Sequence, residues 1–196
     1  MEPRRRARAG RRAELVPGDI AGRRHRTGIV GRAVSGFGRL DILVNDAAVF
    51  QRTCERTDDI TAGEWDRIFR VNVHAMFYLS QAAVPHMRPG AAIVNATSVQ
   101  AKDSPPQLLA YAATKGAIST LTATPARMPA GRGIRVNAVA PGPIWTPPIP
   151  STMPAEKAAG FGQRAPRARA SRRSRHRPSC RWRRTGRATS RGRWCR

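Results

Sequence analysis

The sequence predicts an α/β fold, an open and doubly wound parallel sheet of which only a part is present. Three short runs, residues 40–44, 93–97 and 134–139, are almost continuously apolar, as strands are when helices cover both faces of a sheet. Segments with helical periodicity lie between these runs. An alternation of strand and helix along the chain is typical of a parallel sheet.

Two further elements are predicted upstream of the first of these strands. Residues 13–20 are apolar and end in Pro-Gly-Asp, which predicts a short strand followed by a turn. Residues 28–37 predict a helix that Gly38 closes, because glycine readily takes the left-handed conformation after a helix.

The helices that follow carry their own signals. Residues 64–87 predict one long helix with an apolar stripe, and Thr61 with Glu64 fits a capping box at its start. The next helix, which begins near Tyr111, would continue to residue 131. Pro125 and Pro129 each cost roughly 3 kcal/mol inside a helix. We therefore expect this helix to stop or kink before Pro125.

Charge divides the chain into three parts. The formal net charge is +24, and residues 164–196 alone hold fourteen arginines and no acidic residue. Residues 1–12 and 164–196 are expected to be disordered, since they have too few apolar residues to bury. Residues 13–163 are expected to form one incomplete domain. Three cysteines without a CxxC pair predict neither a disulfide scaffold nor a metal site, and favour a cytoplasmic location.

A reactive constellation is predicted around the second apolar run. Tyr111 and Lys115 are four positions apart and therefore share one face of a helix. A neighbouring ammonium lowers the pKa of a phenol, since it favours the phenolate. Ser98 follows the strand, at the end of a parallel sheet where ligands bind.

Together these motifs resemble the short-chain dehydrogenase/reductase family. The resemblance rests on five motifs. They are Ser98 with Tyr-Ala-Ala-Thr-Lys at 111–115, Leu-Asp-Ile-Leu-Val-Asn-Asp-Ala-Ala at 40–48, Phe-Arg-Val-Asn-Val at 69–73, the Asp19 of Pro-Gly-Asp-Ile, and Pro-Gly-Pro-Ile-Trp-Thr at 141–146. It covers roughly residues 13–163. The amino-acid sequence of the matched segments is most similar to a bacterial branch of stress-type and glucose-dehydrogenase-like reductases. The resemblance implies a Rossmann-like sheet, NAD or NADP as cofactor, and a small carbonyl or alcohol substrate.

The resemblance also implies a role for each residue of the reaction centre. Tyr111 would exchange a proton with the substrate oxygen, and Ser98 would orient that oxygen. Lys115 would lower the pKa of Tyr111 and hold the nicotinamide ribose. Asn72 would hold a water molecule in a proton relay, although a lone Asn on a helix more commonly faces solvent. The implied catalytic residues are therefore Asn72, Ser98, Tyr111 and Lys115.

The cofactor would lie along the same edge of the sheet. Asp19 would bond the adenine amino group and Ile20 would pack on the ring; the less favoured alternative is that Asp19 only stabilises a turn. Asp46 stands where the family has a second Asn and adds a negative charge beside an anionic cofactor. The implied cofactor-binding residues are Asp19, Ile20, Asn45, Ala47, Tyr111, Lys115, Pro141, Gly142, Ile144 and Thr146.

Parts of the family pattern are not found. No glycine-rich turn follows a strand and opens a helix, as pyrophosphate binding requires, and the glycines of residues 28–38 fall within and after a helix. The chain is thus expected to be truncated at its N-terminus. Another reading frame over residues 181–195 can encode the family's closing motif, so we expect a frameshifted C-terminus that lacks the last strand.

Two alternatives to a working oxidoreductase stay open. The chain could be a non-catalytic remnant that binds no cofactor. The arginine-rich tail could bind nucleic acid nonspecifically, since arginines with interleaved tryptophans contact phosphates and stack on bases. A homo-oligomer is expected for the family, with an interface weakened by the prolines. The substrate and the choice between NAD and NADP are not determined by the sequence.

Overall fold

The structure is a computed structural model that describes residues 12–50, 54, 56–124, 129–142, 144, 160, 194 and 195. In this part of the chain, four strands form one sheet in sequence order. All three strand pairings are parallel, as predicted. The strands are β1 (Leu40–Asn45), β2 (Met87–Ala96), β3 (Arg135–Val139) and β4 (Trp194–Cys195).

Four α-helices within the described residues connect or flank these strands. They are α1 (Arg23–Phe37), α2 (Ala62–Phe69), α3 (Ala75–Ala83) and α4 (Leu109–Ala123). A π-helical turn, Arg70–His74, joins α2 to α3. The helix predicted over residues 64–87 is therefore interrupted, and it ends in a 3-10 turn, Val84–His86, before Met87 opens β2. Among the described residues, no helix is both long enough and apolar enough to cross a membrane.

The helix ends follow the local signals in the sequence. Gly38 adopts φ 76° after α1, and its N–H donates to the carbonyl of Val34 at 2.8 Å. The Thr61 hydroxyl accepts from the backbone N–H of Glu64 at 3.2 Å at the start of α2. Helix α4 ends at Ala123, before Pro125, as predicted.

The helices α1, α3 and α4 cover one face of the sheet. Leu43, Ile93 and Val136 point to this face and pack with residues of α1 and α3. From α4, the Thr122 hydroxyl accepts a hydrogen bond from Asn95 of the same face. The buried residues of this core are Val30, Leu79, Ala83, Met87, Ala91, Ile93, Ile134 and Val136.

The predicted strand over residues 13–20 is wrong. This segment forms no strand and is mostly exposed, with Leu15 64% accessible. It is held instead by polar contacts to α1. Arg32 Nε donates to the Glu14 carboxylate at 2.6 Å, and Arg12 donates to the carbonyl of Gly36 at 2.8 Å. A strand needs a neighbour for its backbone groups, and no described strand lies beside this segment.

The predictions for the chain ends fall largely outside the described residues. Residues 1–11 and most of 164–196 belong to that part. Trp194 and Cys195 are described, and they pair with Ala138 and Val139.

Candidate active site

Ser98, Tyr111 and Lys115 come together at the carboxyl end of β2. Ser98 follows this strand, and Tyr111 and Lys115 lie one turn apart on α4. The Ser98 hydroxyl hydrogen-bonds the Tyr111 phenol. Lys115 Nζ lies 5.4 Å from the centre of the Tyr111 ring. The hydroxyl, the phenol and the ammonium therefore lie close together in one group.

Thr97 fixes this group to the sheet. Its hydroxyl donates to the backbone carbonyl of Lys115 at 2.8 Å and is 3.0 Å from the hydroxyl of Ser119. Lys115 Nζ donates in turn to the carbonyl of Ala96 at 2.8 Å. Beside the reactive side chains, one hydrogen bond is thus donated from the segment of β2 to α4 and another from α4 to β2. Sequence reasoning missed Thr97; the available signal was a polar side chain whose alternation places it on the helix side of an apolar strand.

Burial, rather than Lys115, sets the pKa of Tyr111. Tyr111 is only 6% exposed, and burial raises the pKa of its phenol to about 12, because the phenolate loses its hydration. The Ser98 hydrogen bond lowers this pKa, and the Asp46 carboxylate raises it. The prediction that the Tyr111 pKa is lowered is therefore wrong in this structure, and the phenol is protonated at neutral pH.

Lys115 is shifted in the opposite sense. Burial lowers the pKa of its ammonium to about 8, while the charge of Asp46 raises that pKa. An amine with such a pKa gives up and regains a proton close to neutral pH. Asp46, which stands where the family has a second Asn, thus shifts the pKa of both Tyr111 and Lys115 electrostatically.

Asn72 is a structural clamp within the π-helical turn. It is 2% exposed, which excludes the alternative of a solvent-facing Asn. Its side chain accepts from the N–H of Val49 at 2.8 Å and donates to the carbonyl of Val49 at 3.0 Å. It also donates to the hydroxyl of Thr114 at 3.1 Å. Asn72 thereby ties the segment after β1 to the Tyr111 helix.

Asn45 braces the neighbouring strands. Its amide donates to Asn95 of β2 at 2.8 Å and to the hydroxyl of Ser80 at 3.1 Å. Asn95 passes the chain of hydrogen bonds on to Thr122 of α4 at 3.0 Å. Neither Asn95 nor Thr122 was singled out by sequence reasoning, because their contacts join residues far apart in the chain.

Asp19 and Ile20 lie at a cavity of about 430 Å³. One Asp19 oxygen accepts from the N–H of Ala21 at 2.9 Å, so the carboxylate does stabilise a turn. The cavity is also lined by Val49, the residue that Asn72 clamps. The segment after β1 thus contacts the cavity and, through Asn72, the Tyr111 helix. Arg67 and Arg70 line this cavity too and were not predicted.

The remaining predicted cofactor residues are placed as follows. Ala47 and Gly142 are exposed and Ile144 is half-buried. The carbonyl of Pro141 accepts from the N–H of Val99 at 3.3 Å, which sets the loop after β3 beside Ser98. Thr146 lies outside the described residues. A second cavity, of about 490 Å³, lies near the start of α4 and is lined by Cys54, Arg56, Thr57, Asp58, Ile60, Pro106 and Leu109.

The residues present fit a dinucleotide at two places. The buried phenol and amine fit its reactive end, and the cavity at Asp19 fits an apolar ring with a polar edge. Across residues 12–50, no glycine-rich turn lies between a strand and a helix, so this stretch offers no cradle for phosphates.

A parallel sheet with helices and a Ser–Tyr–Lys group at the carboxyl end of its strands defines a Rossmann-like α/β protein. The chain belongs to the short-chain dehydrogenase/reductase family. The family model that matches it, described as enoyl-(acyl carrier protein) reductase, covers residues 3–175.

Its relatives include proteins of the predicted stress-type branch. General stress protein 39 of Bacillus subtilis (strain 168) is 45% identical over 79% of this chain and 54% of its own length. The chloroplastic NADPH-dependent aldehyde reductase 1 of Arabidopsis thaliana is 42% identical over 79% of this chain and 54% of its own length. The chain spans about half the length of the curated relatives it matches.

A solved structure confirms the fold. A short-chain dehydrogenase from Burkholderia cenocepacia J2315, in complex with NADP, superposes with a TM-score of 0.76. Its sequence is 35% identical, and the match covers 84% of this chain and 66% of that one.

Proposed function

We propose that this chain carries the reaction centre of an NAD(P)-dependent oxidoreductase that interconverts a carbonyl compound and an alcohol. The observation that carries the proposal is the grouping of Ser98, Tyr111 and Lys115 at the carboxyl end of β2. Its family membership, and a relative that is an NADPH-dependent aldehyde reductase, support the same chemistry.

Tyr111 is the proton donor in reduction. Since burial holds its pKa at about 12, the phenol carries its proton at neutral pH. A substrate oxygen that gains negative charge takes this proton, and Ser98 orients that oxygen by a hydrogen bond. In the reverse direction the phenolate takes the proton back.

Lys115 supplies charge and protons beside Tyr111. Its ammonium stabilises the phenolate that forms after proton transfer, because the two groups lie close together. Its pKa of about 8 lets it exchange a proton near neutral pH. Asn72 holds the Tyr111 helix through Thr114, and we retain the proposal that its turn positions a water molecule in the relay.

The nicotinamide cofactor, when bound, supplies or accepts the hydride. Tyr111 and Lys115 would hold its reactive end, with Pro141, Gly142, Ile144 and Thr146 alongside. Asp19 and Ile20 would hold the adenine, with Asn45 and Ala47 between the two ends. A structural neighbour in complex with NADP supports a cofactor of this class.

We propose the domain bounds, the substrate class, the location and the assembly of the protein together with this site. Residues 13–163 would form the domain, with basic segments at 1–12 and 164–196. The substrate would be a small carbonyl or alcohol, the location cytoplasmic and the assembly a homo-oligomer.

The test is cofactor titration followed by turnover. NADPH and NADH are titrated against the protein by quenching of its tryptophan fluorescence, and oxidation of each is then followed with a panel of small aldehydes. We expect binding of one cofactor and turnover that falls at least about 100-fold in Tyr111→Phe, a far larger change than that in the Kd of the cofactor, which Lys115 still holds. Tyr78→Phe, at the other tyrosine of the chain, is the matched control.

The opposite outcome would favour the alternative that the chain is a non-catalytic remnant that binds no cofactor. Binding of neither cofactor at millimolar concentration would show that this chain lacks the function. Binding without turnover, or turnover that survives in Tyr111→Phe, would remove Tyr111 from its proposed role.

A further inference from the structure

An aromatic ring that belongs to no predicted motif lies against the reactive phenol. Phe50 stacks on Tyr111 with a distance of 4.3 Å between ring centres and an angle of 19° between the ring planes. Phe50 lies in the segment after β1 and is half-buried. The two rings are thus in nearly parallel contact, although they are 61 positions apart in the chain.

The backbone beside Phe50 is fixed. Both the N–H and the carbonyl of Val49 are bonded to the side chain of Asn72, at 2.8 and 3.0 Å. Asn72 is itself buried and bonded to Thr114 of the Tyr111 helix. The segment that carries the Phe50 ring and the helix that carries the phenol are therefore joined through one amide.

The described contacts of the Tyr111 side chain come from residues in different segments of the chain. Phe50 meets the flat of the ring, Lys115 lies over the same ring at 5.4 Å, and Ser98 bonds the phenol oxygen. An aromatic stack of this kind stabilises the contact of the two rings beyond the effect of their buried area. The stack therefore favours one orientation of a side chain with two rotatable bonds.

We propose that Phe50 is a positioning residue, whose ring covers the Tyr111 phenol, keeps water from it and holds it toward Ser98. The proposal deepens the function proposed above and rests on it for its catalytic meaning. The physical statement, that the Phe50 ring shields the phenol from water, does not depend on turnover.

Shielding has a direct spectroscopic consequence. A phenol that is cut off from water resists ionisation, in agreement with the raised pKa of Tyr111. Replacement of the Phe50 ring by a smaller and more flexible apolar side chain admits water. The phenolate is then better hydrated and forms at lower pH.

The experiment reads the ionisation of Tyr111 alone. The chain has two tyrosines, so Tyr78→Phe leaves Tyr111 as a single reporter of tyrosinate absorbance. The titration is recorded by stopped-flow pH jump, before alkaline unfolding. In this background Phe50→Leu is expected to ionise about one pH unit lower than the parent. Phe77→Leu, which removes an exposed ring that contacts Tyr78, is the matched control and should leave the titration unchanged.

Folding is checked separately. Phe50→Met is titrated in parallel, and both variants are compared with the parent by circular dichroism. Equal titration of Phe50→Leu and Phe77→Leu would overturn the proposal. Loss of the helical spectrum in both Phe50 variants would also overturn it, since Phe50 would then be a core residue.

Turnover supplies the catalytic part of the test. Phe50→Leu is expected to lower kcat about tenfold with an unchanged KM for the cofactor, and Phe50→Tyr, which keeps the stack, should restore kcat. If the parent binds no cofactor, the proposed function fails while the titration still decides the role of Phe50. A normal kcat in Phe50→Leu together with a shifted titration would show that the shielding has no catalytic part.

Discussion

The two faces of the sheet differ sharply although the same strands form both. On the face that α1, α3 and α4 cover, Ile93 is 2% exposed and belongs to the main core. On the other face, Ile42 and Val44 are 63% and 60% exposed. Leu43, which lies between these two residues on β1, packs against the main core. One residue along a strand therefore separates a core position from a surface position.

The reaction centre depends on the covered face. Asn95 and Thr97, which alternate with Ile93 along β2, point to α4 and bond Thr122 and the carbonyl of Lys115. Packing and catalytic geometry thus share the same contacts. We infer that a change on the covered face disturbs both, whereas an equal change on the other face disturbs neither.

The largest expected difference lies between two isoleucines. Ile93→Ala removes buried methyl groups and leaves a cavity, which should reduce the free energy of unfolding by about 2–5 kcal/mol. Ile42→Ala changes an exposed side chain and should cost less than about 0.5 kcal/mol. Urea denaturation of the two variants measures both. Similar losses would mean that the face with Ile42 is covered in solution.

A second contrast concerns buried and half-buried asparagines. Asn72→Ala leaves the backbone groups of Val49 and the hydroxyl of Thr114 without their partner, at a cost of about 1–3 kcal/mol. Asn137→Ala, the same substitution opposite Val94 on the other face, should cost well under 1 kcal/mol. Thermal unfolding of both variants tests this, and a more damaging Asn137→Ala would refute the clamp.

Much of this architecture could be predicted from the sequence, and the limits have physical causes. The three apolar runs gave the strands, because burial in a parallel sheet requires such runs. The start of β2 at Met87 gave no signal, since Arg88, Pro89 and Gly90 disfavour a strand. This part of β2 is held by a distant contact, from the N–H of Gly90 to the carbonyl of Gly133 at 2.8 Å.

The reaction centre, too, could be predicted from the sequence only in part. Spacing placed Ser98, Tyr111 and Lys115 together, since a helix fixes which positions share a face. Spacing could not give the burial of the phenol, so the predicted direction of its pKa shift was wrong. Thr97 and Phe50 were missed because their contacts with α4 arise only in the folded chain.

The buried ammonium of Lys115 should make stability depend on pH. Its pKa is about 8 in the folded chain and 10.5 for a free side chain, so the unfolded chain binds more protons between these values. Stability therefore rises with pH in this window, by roughly 2 kcal/mol between about pH 8 and 10. Above pH 10 the raised pKa of Tyr111 acts in the opposite sense, because the folded phenol keeps its proton longer.

Denaturation across this range separates Lys115 from other groups. Lys115→Met should remove the rise in stability between about pH 8 and 10, whereas Lys102→Met, at an exposed position, should keep it. A rise that persists in Lys115→Met would show that another group titrates there.

The smallest expected effect is that of Asp46, which is exposed and acts through its charge alone. Its carboxylate raises the pKa of both Tyr111 and Lys115. Asp46→Asn should therefore lower the Tyr111 pKa, by a few tenths of a pH unit, and added salt should shrink the difference. Tyrosinate titration in the Tyr78→Phe background measures the shift, with Asp41→Asn as the control, because Asp41 is exposed and paired with Arg39. A shift to higher pH, or an equal shift in Asp41→Asn, would refute a specific effect of the Asp46 charge on Tyr111.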